Sequence, residues 1–155
     1  MSDFIIRPAT QEDFEPMAVL HRDTIRHINA KDYSKEAIDA WSSRPSPDLY
    51  QKGVGRCKRW VAEIDGEVVG YTDHGLNGKF WGLYVHKDHL GKGIGSALFQ
   101  KAEESLQQMG VDKITIESTI TATKFYEGKG YTKVRDDTHI MNGIQIPTVI
   151  LEKTL

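Results

Sequence analysis

Apolar residues fall in short bursts along this chain, and the spacing within a burst switches between a period near two and one near four. Phe80, Trp81, Leu83, Tyr84 and Val85 predict a strand, which the polar stretch from His86 to His89 ends. Gly91, Gly93 and Gly95 follow at alternate positions. Beyond them Ile94, Leu98, Ala102, Leu106 and Met109 recur at helical spacing. Lys101, Glu103, Glu104, Gln107 and Gln108 fill the other face, and Gly110 supplies a stop. The middle of the chain is therefore a strand, a glycine turn and an amphipathic helix.

The remaining bursts extend this alternation. Residues 4–7 read as a short strand halted by Pro8, and Thr10 to Asp13 resembles an N-cap with an acidic residue three positions on. Phe14, Met17, Ala18, His21 and Ile25 mark one face of a helix. A second helix is expected after Ser34 as N-cap, through Glu36, Ala37, Ile38 and Trp41, and Ser46-Pro47 opens a short third one. Region 27–55 is thus irregular and helical, with Tyr33, Trp41 and Tyr50 exposed or half-buried, and it could cover a pocket. Residues 59–64 and 67–73 form a hairpin around Asp65-Gly66, and Leu76-Asn77-Gly78 turns the chain into strand 80–85. Three consecutive strands are then antiparallel neighbours. Residues 113–118 alternate charged and apolar, as a strand that the intervening helix makes parallel to 80–85. Residues 119–127 predict a short helix stopped by Gly128 or Gly130, and strands near 132–136 and 147–153 flank a turn at Asn142-Gly143. The expectation is one α/β domain over residues 1–155.

A glycine turn entering a helix leaves backbone N–H groups unpaired and aimed at one spot, where aligned peptide dipoles add positive charge. A phosphate suits that spot, and glycines let it approach without a Cβ in the way. An ordinary tight turn explains the same residues, so both readings stand at this level. Two familiar phosphate loops are excluded by spacing: G-x-x-x-x-G-K-[ST] occurs nowhere, and Gly91-Lys92-Gly93-Ile94-Gly95 is not G-x-G-x-x-G.

Composition narrows the partners. A 155-residue chain fits one domain with a real core. A formal net charge of −2 and a pI near 6.3 provide no global basic surface, which argues against nucleic acid. The single cysteine, Cys57, rules out an internal disulfide, and Arg56, Lys58 and Arg59 beside it could lower its pKa. No signal-peptide pattern opens the chain and no run approaches the roughly 20 apolar residues of a membrane helix, so a cytoplasmic protein without membrane contact is expected. His86 and His89 sit in a turn with no third ligand near them in sequence, so no metal is expected. Lys87 and Lys92 flank the glycine turn and could attract a phosphate.

Several of these segments together carry a family likeness. The hairpin, Leu83-Tyr84-Val85, the stretch from Leu90 through Gly91, Gly93 and Gly95 to Leu98, and the block Phe125-Tyr126-Glu127-Gly128-Lys129-Gly130-Tyr131 occur in a familiar order. That order resembles the GNAT superfamily of acyl-CoA-dependent N-acetyltransferases, and the likeness runs from residue 4 to residue 153. Its specificity lies in the two separated motifs at the expected distance. The segment from Asn29 to Glu36, with Trp41 after it, also looks like an uncharacterised bacterial subgroup of acetyltransferases. The resemblance implies a single-domain GNAT fold: a mixed, mostly antiparallel sheet of six to seven strands, helices on both faces and a splayed central strand pair.

It also implies roles. Acetyl-CoA would be the cosubstrate, its pyrophosphate taken by backbone N–H groups of Gly91, Lys92, Gly93, Ile94, Gly95 and Ser96. The pantetheine arm would pair with Leu83, Tyr84 and Val85, and the Val85 N–H could meet the oxyanion. Tyr126 matches the tyrosine that commonly protonates the departing thiolate; read alone, such a residue is more often core, with its hydroxyl satisfied at the rim. Thr119 stands where many relatives hold the cofactor with Asn, and Leu90 replaces a favoured Gln or Arg. Relatives often carry a base glutamate in the strand matching 80–85, but this chain has no carboxylate there. Candidates are Glu63, Asp73, His74 and Glu117, with Glu117 and Asp73 preferred. Tyr33, Trp41 and Tyr50 are candidate walls for a small-molecule or peptide amine. A homodimer is a possible assembly. The alternative function is a non-catalytic acyl-CoA-binding sensor.

Overall fold

The computed structural model describes residues 3–155, in which the bursts become seven strands and five α-helices. The strands are β1 (Ile5–Pro8), β2 (Cys57–Ile64), β3 (Glu67–Gly75), β4 (Lys79–Val85), β5 (Lys113–Thr119), β6 (Thr132–Met141) and β7 (Ile144–Thr154). The helices are α1 (Phe14–His27), α2 (Lys35–Ser42), α3 (Pro47–Lys52), α4 (Ile94–Gln108) and α5 (Thr123–Glu127). One sheet takes all the strands in the order β1-β2-β3-β4-β5-β7-β6, antiparallel throughout except between β4 and β5.

Local chemistry explains the punctuation. Asp65 and Gly66 have φ of 51° and 82°, and Asn142 and Gly143 have 52° and 77°, the left-handed pair that a two-residue hairpin turn demands. Ser34 and Ser46 cap α2 and α3 by accepting the amides of Ala37 (3.1 Å) and Leu49 (3.2 Å). The period of two then distributes the sheet's side chains between layers. Val61 and Tyr71 pack under α1 with Phe14 and Met17, whereas Trp60, Ala62 and Val69 meet Ile94 and Leu98 of α4 on the opposite face. A further core joins Phe99 and Leu106 of α4 to Phe80, Ile114, Ile116 and Leu151.

Several expectations need correction. The last two strands are ten and eleven residues long and form a continuous hairpin through Asn142-Gly143, rather than two short separated strands. The predicted helix at 119–127 begins only at Thr123, because β5 runs on to Thr119. Trp41 and Tyr50 are 6% and 3% exposed, so neither is half-open: Trp41 packs with Ile25, Ala37, Ile38 and Ile146, and Tyr50 with Phe14 and Tyr71. Tyr33 is half-buried, as its setting in an irregular segment suggested. Among the described residues no helix is long and apolar enough to cross a membrane.

Candidate active site

The site begins where the sheet comes apart. β4 and β5 pair only at Lys79 with Thr115 and Phe80 with Ile116, and beyond that register they diverge. A cleft of about 400 Å³ fills the wedge. One wall is β4 from Trp81 to Val85, the other is Glu117 to Thr119 with Ala122, Phe125 and Tyr126, and the glycine turn closes one end. The His86 amide donates to the Val69 carbonyl of β3 at 2.8 Å. Amide directions alternate along a strand, so the Leu83 and Val85 N–H groups point the other way, at the cleft.

The glycine turn enters α4 without a cap. Gly91 and Gly93 have φ of 78° and 83°, and a Cβ on either would touch nothing, so backbone conformation rather than space requires glycine there. Gly93 is the N-cap residue and no side chain caps the helix. The Ala97 amide is satisfied by the Gly93 carbonyl at 3.0 Å, which leaves the amides of Ile94, Gly95 and Ser96 without intrahelical partners. Lys129 adds a cation at this corner: its Nζ donates to the Ser96 hydroxyl at 3.0 Å and lies 5.4 Å from the centre of the Phe125 ring. Lys92 is instead held by His89 (3.0 Å) and Lys87 by Asp88 (3.2 Å). An extended thioester ending in a pyrophosphate fits this open cradle of unpaired donors with a strand edge beside it.

Tyr126 is 4% exposed and reaches the cleft between Phe80, Phe99 and Phe125. Burial, and secondarily the charge of Asp73, holds its phenol well above the usual range, so it stays protonated. Thr119 also lines the cleft, where its hydroxyl oxygen accepts the Ala122 amide at 3.2 Å and so caps the turn into α5. Glu117 reaches the cleft wall, and one oxygen accepts the Thr148 hydroxyl at 2.9 Å.

Asp73 does not line this cleft. It faces a second cavity behind β4, on the side of α1 and α3, and Arg59 meets it at 3.3 Å. Burial pushes its carboxyl up to about 6 although Arg59 opposes the shift. Glu63 is engaged by Arg7 at 3.4 Å, and His74 is buried between the Gly75 carbonyl and the Ser105 hydroxyl, on neither wall. Tyr50 lines the second cavity with Asp73, while Tyr33 and Trp41 line neither space. Tyr33 is a strap: its hydroxyl donates to the Pro147 carbonyl and accepts the Ile120 amide, both at 2.8 Å. The Cys57 thiol is raised by burial, not lowered by its basic neighbours.

Three groups were not singled out from sequence. Lys129 sits inside the block that carries the family likeness, and its place next to the phosphate-like corner could have been read from that motif. Asn29, 5% exposed, lines the cleft and has a buried side-chain oxygen that no described residue satisfies. His21 lines the second cavity behind β4 and has a buried, unpartnered Nε2. Helical spacing sets His21 on the apolar face of α1 without marking its ring nitrogens, and nothing in the sequence marks the Asn29 oxygen.

The architecture has close parallels. The GCN5-related N-acetyltransferase from Rhodopseudomonas palustris superposes with a TM-score of 0.92 at 25% identity, covering all of this chain and 98% of that one. PaiA N-acetyltransferase from Thermoplasma acidophilum, solved with coenzyme A, gives 0.82 at 21% identity over the full length of both, a likeness of fold. In sequence, an acetyltransferase of Pectobacterium atrosepticum is 32% identical over 114 residues, 70% of this chain and 72% of that protein. An uncharacterised N-acetyltransferase of Escherichia coli K12, YafP, is 23% identical over 135 residues, 87% and 85% of the two chains. The family model for the acetyltransferase (GNAT) domain matches residues 29–152. The chain belongs to the GNAT superfamily of acyl-CoA-dependent N-acetyltransferases.

Proposed function

We propose that this protein moves an acetyl group from acetyl-CoA to a primary amine of a small molecule or peptide by direct attack, with Tyr126 as general acid. The observation that carries the reading is the wedge between β4 and β5, with uncapped helix amides at one end and a protonated tyrosine on its wall. Acetyl-CoA supplies the activated acyl carbon. The amides of Ile94, Gly95 and Ser96, with Lys129, take the pyrophosphate, and the free edge of Leu83 to Val85 pairs with the pantetheine arm. The Val85 N–H, turned to the cleft, donates to the oxygen that becomes negative as the amine adds. The new C–N bond forms as the C–S bond breaks. The departing sulfur takes its proton from Tyr126, and the proton lost from nitrogen passes through water to Asp73, from which solvent restores the tyrosine.

Asp73 is favoured over Glu117 as proton acceptor. A carboxyl near pH 6 is ionised at neutral pH yet more basic than a solvated one, which suits a general base. Glu117 lines the cleft, but one of its oxygens accepts the Thr148 hydroxyl and the other lies 3.8 Å from His139 Nδ1, towards β6 and β7.

Steady-state thiol release with saturating acetyl-CoA tests the assignment. Tyr126→Phe is expected to lower kcat by about 10²–10⁴, the worth of a general acid, with acetyl-CoA affinity unchanged. Unaltered turnover would remove Tyr126 from the chemistry.

A further inference from the structure

The cavity behind β4 has a volume of about 360 Å³, enough for a small metabolite, and opens against α1 and α3. It is walled by Tyr50, Tyr71, Tyr84 and His21, and it shares Trp81, Gly82 and Tyr84 with the cleft. A molecule bound there lies against the same short piece of β4 that guides the thioester on its other side.

Charge gives the cavity a preference. Asp73 is already neutralised by Arg59, whose second nitrogen donates to the Tyr50 carbonyl at 2.8 Å. Lys52 and Arg56 also line the cavity, both exposed, and neither makes an ion pair among the described residues. The space therefore carries two uncompensated positive charges at its rim and none of negative sign to balance them. A polycationic amine would meet repulsion; an amine bearing its own carboxylate would be drawn in.

A second, independent feature lies deeper. The Nε2 of His21 is buried and without a partner, while Nδ1 lies 3.1 Å from the Tyr71 hydroxyl, itself 2.9 Å from that of Tyr50. Nε2 is unmatched in either tautomer, a bare acceptor when Nδ1 carries the proton and an unused donor when Tyr71 donates to Nδ1. The ring is held against Tyr84 at a centroid distance of 3.9 Å. A buried polar atom without a partner costs stability, and the residue that carries it is one of those lining the cavity.

We infer that this cavity is the acceptor pocket and that it takes a small amino-carboxylate such as a free amino acid, its carboxylate at Lys52 and Arg56 and its amine turned inward to the wall that His21, Tyr50 and Tyr71 form. The inference rests on the acetyl-transfer reading for the reaction but not for the binding. The amine then lies in the cavity that Asp73, the proton acceptor assigned above, also lines.

Matched pairs of acceptors test it. Free L-amino acids, the same amino acids as carboxamides, and spermidine are compared by calorimetric titration into CoA-loaded protein and by acceptor-dependent thiol release. Free acids are expected to bind about 10-fold or more tightly than their amides, the worth of one or two charge-assisted contacts. Lys52→Ala/Arg56→Ala is expected to abolish that ratio with melting temperature and acetyl-CoA affinity unchanged, and His21→Phe to weaken acid and amide alike. Equal binding of acids and amides, preference for spermidine, no binding of any amino acid, or an intact ratio in the double variant would each overturn the inference. Thiol release that favours amides or spermidine sinks the pocket's charge preference and leaves acetyl transfer standing. Amino-acid binding without thiol release for any amine does the reverse.

Discussion

Two titratable residues behind β4 are displaced in opposite senses by the same cause. Burial, with a smaller push from Arg22, lowers His21 to about 3, and burial raises Asp73 to about 6 against the pull of Arg59. The unfolded His21 binds a proton near pH 6.5 that the folded one refuses. Its neutral burial therefore adds stability above pH 6.5, which is lost as pH falls towards 3. Asp73 works the other way: its contribution is present below pH 3.8 and is lost as pH rises through 6. Between those limits the two largely offset, so wild type alone reports neither. The difference in unfolding free energy between wild type and His21→Gln isolates the histidine. Wild type should lose up to a few kcal/mol relative to the variant as pH drops below about 6.5, and parallel curves would contradict the buried neutral ring. Activity reads the aspartate, since a base must be ionised: kcat/KM should fall about tenfold per pH unit below the apparent pKa of Asp73, with no such limb in Asp73→Asn. Asp73 was legible as a carboxylate at a strand end; its pairing with Arg59 was not. An unbroken register from Asp65-Gly66 would set Arg59 opposite Thr72, and the bulge between Ala62 and Glu63 brings Asp73 there instead.

At the level of elements, the glycine turn was the most readable part of the chain, because conformational demand is written into residue type. Gly93 at φ 83° should not tolerate a side chain: Gly93→Ala is expected to cost about 1–2 kcal/mol in stability. Gly95 differs. It is helical, and its Cβ would meet Val85 at 3.6 Å, an ordinary contact, so Gly95→Ala should leave melting unchanged or raise it by the roughly 1 kcal/mol of helix propensity gained. That methyl projects towards Val85 and Phe125, into the cleft. Calorimetry should find acetyl-CoA binding weakened about 10-fold or more in Gly95→Ala, and an unaltered affinity would remove this corner from the binding site. The β6–β7 hairpin was far less readable. Nine of the ten residues of β6 are exposed, so neither face carries an apolar alternation, and Val134 and Ile140 are themselves open to solvent. The Asn142-Gly143 turn was visible while the strand leading into it was not. The second cavity was hidden for another reason: α1, α3, β3 and β4 each contribute to it, and no local pattern marks their convergence.

For the molecule as a whole, the splay that makes the cleft also divides the sheet. β1 to β4 and β5 to β7 are joined directly by two register pairs and by the Thr115 amide donating to the Gly78 carbonyl at 3.0 Å. Packing must hold the halves together elsewhere. On one face α4 does so, with Phe99 and Leu106 bridging Phe80 of the first half to Ile114, Ile116 and Leu151 of the second. On the other face Ile25, Ile38 and Trp41 meet Ile146, and the Tyr33 hydroxyl pins the segment between α1 and α2 to β7 and to the residue after β5. Tyr33→Phe keeps the ring against Trp41, 5.6 Å between centroids, and removes both hydrogen bonds. The orphaned Pro147 carbonyl and Ile120 amide should cost about 1–3 kcal/mol together. The loss should be local before it is global: hydrogen exchange at Ile120 is expected to quicken about tenfold or more, while amides of α4 stay protected. Saturating acetyl-CoA, at 100 times its dissociation constant, should restore about 2.7 kcal/mol by bridging the two walls. Exchange at Ile120 that is indifferent to both the substitution and acetyl-CoA would show that the Tyr33 hydrogen bonds do not help to hold the second half of the sheet, leaving that to α4 and to the packing on Ile146.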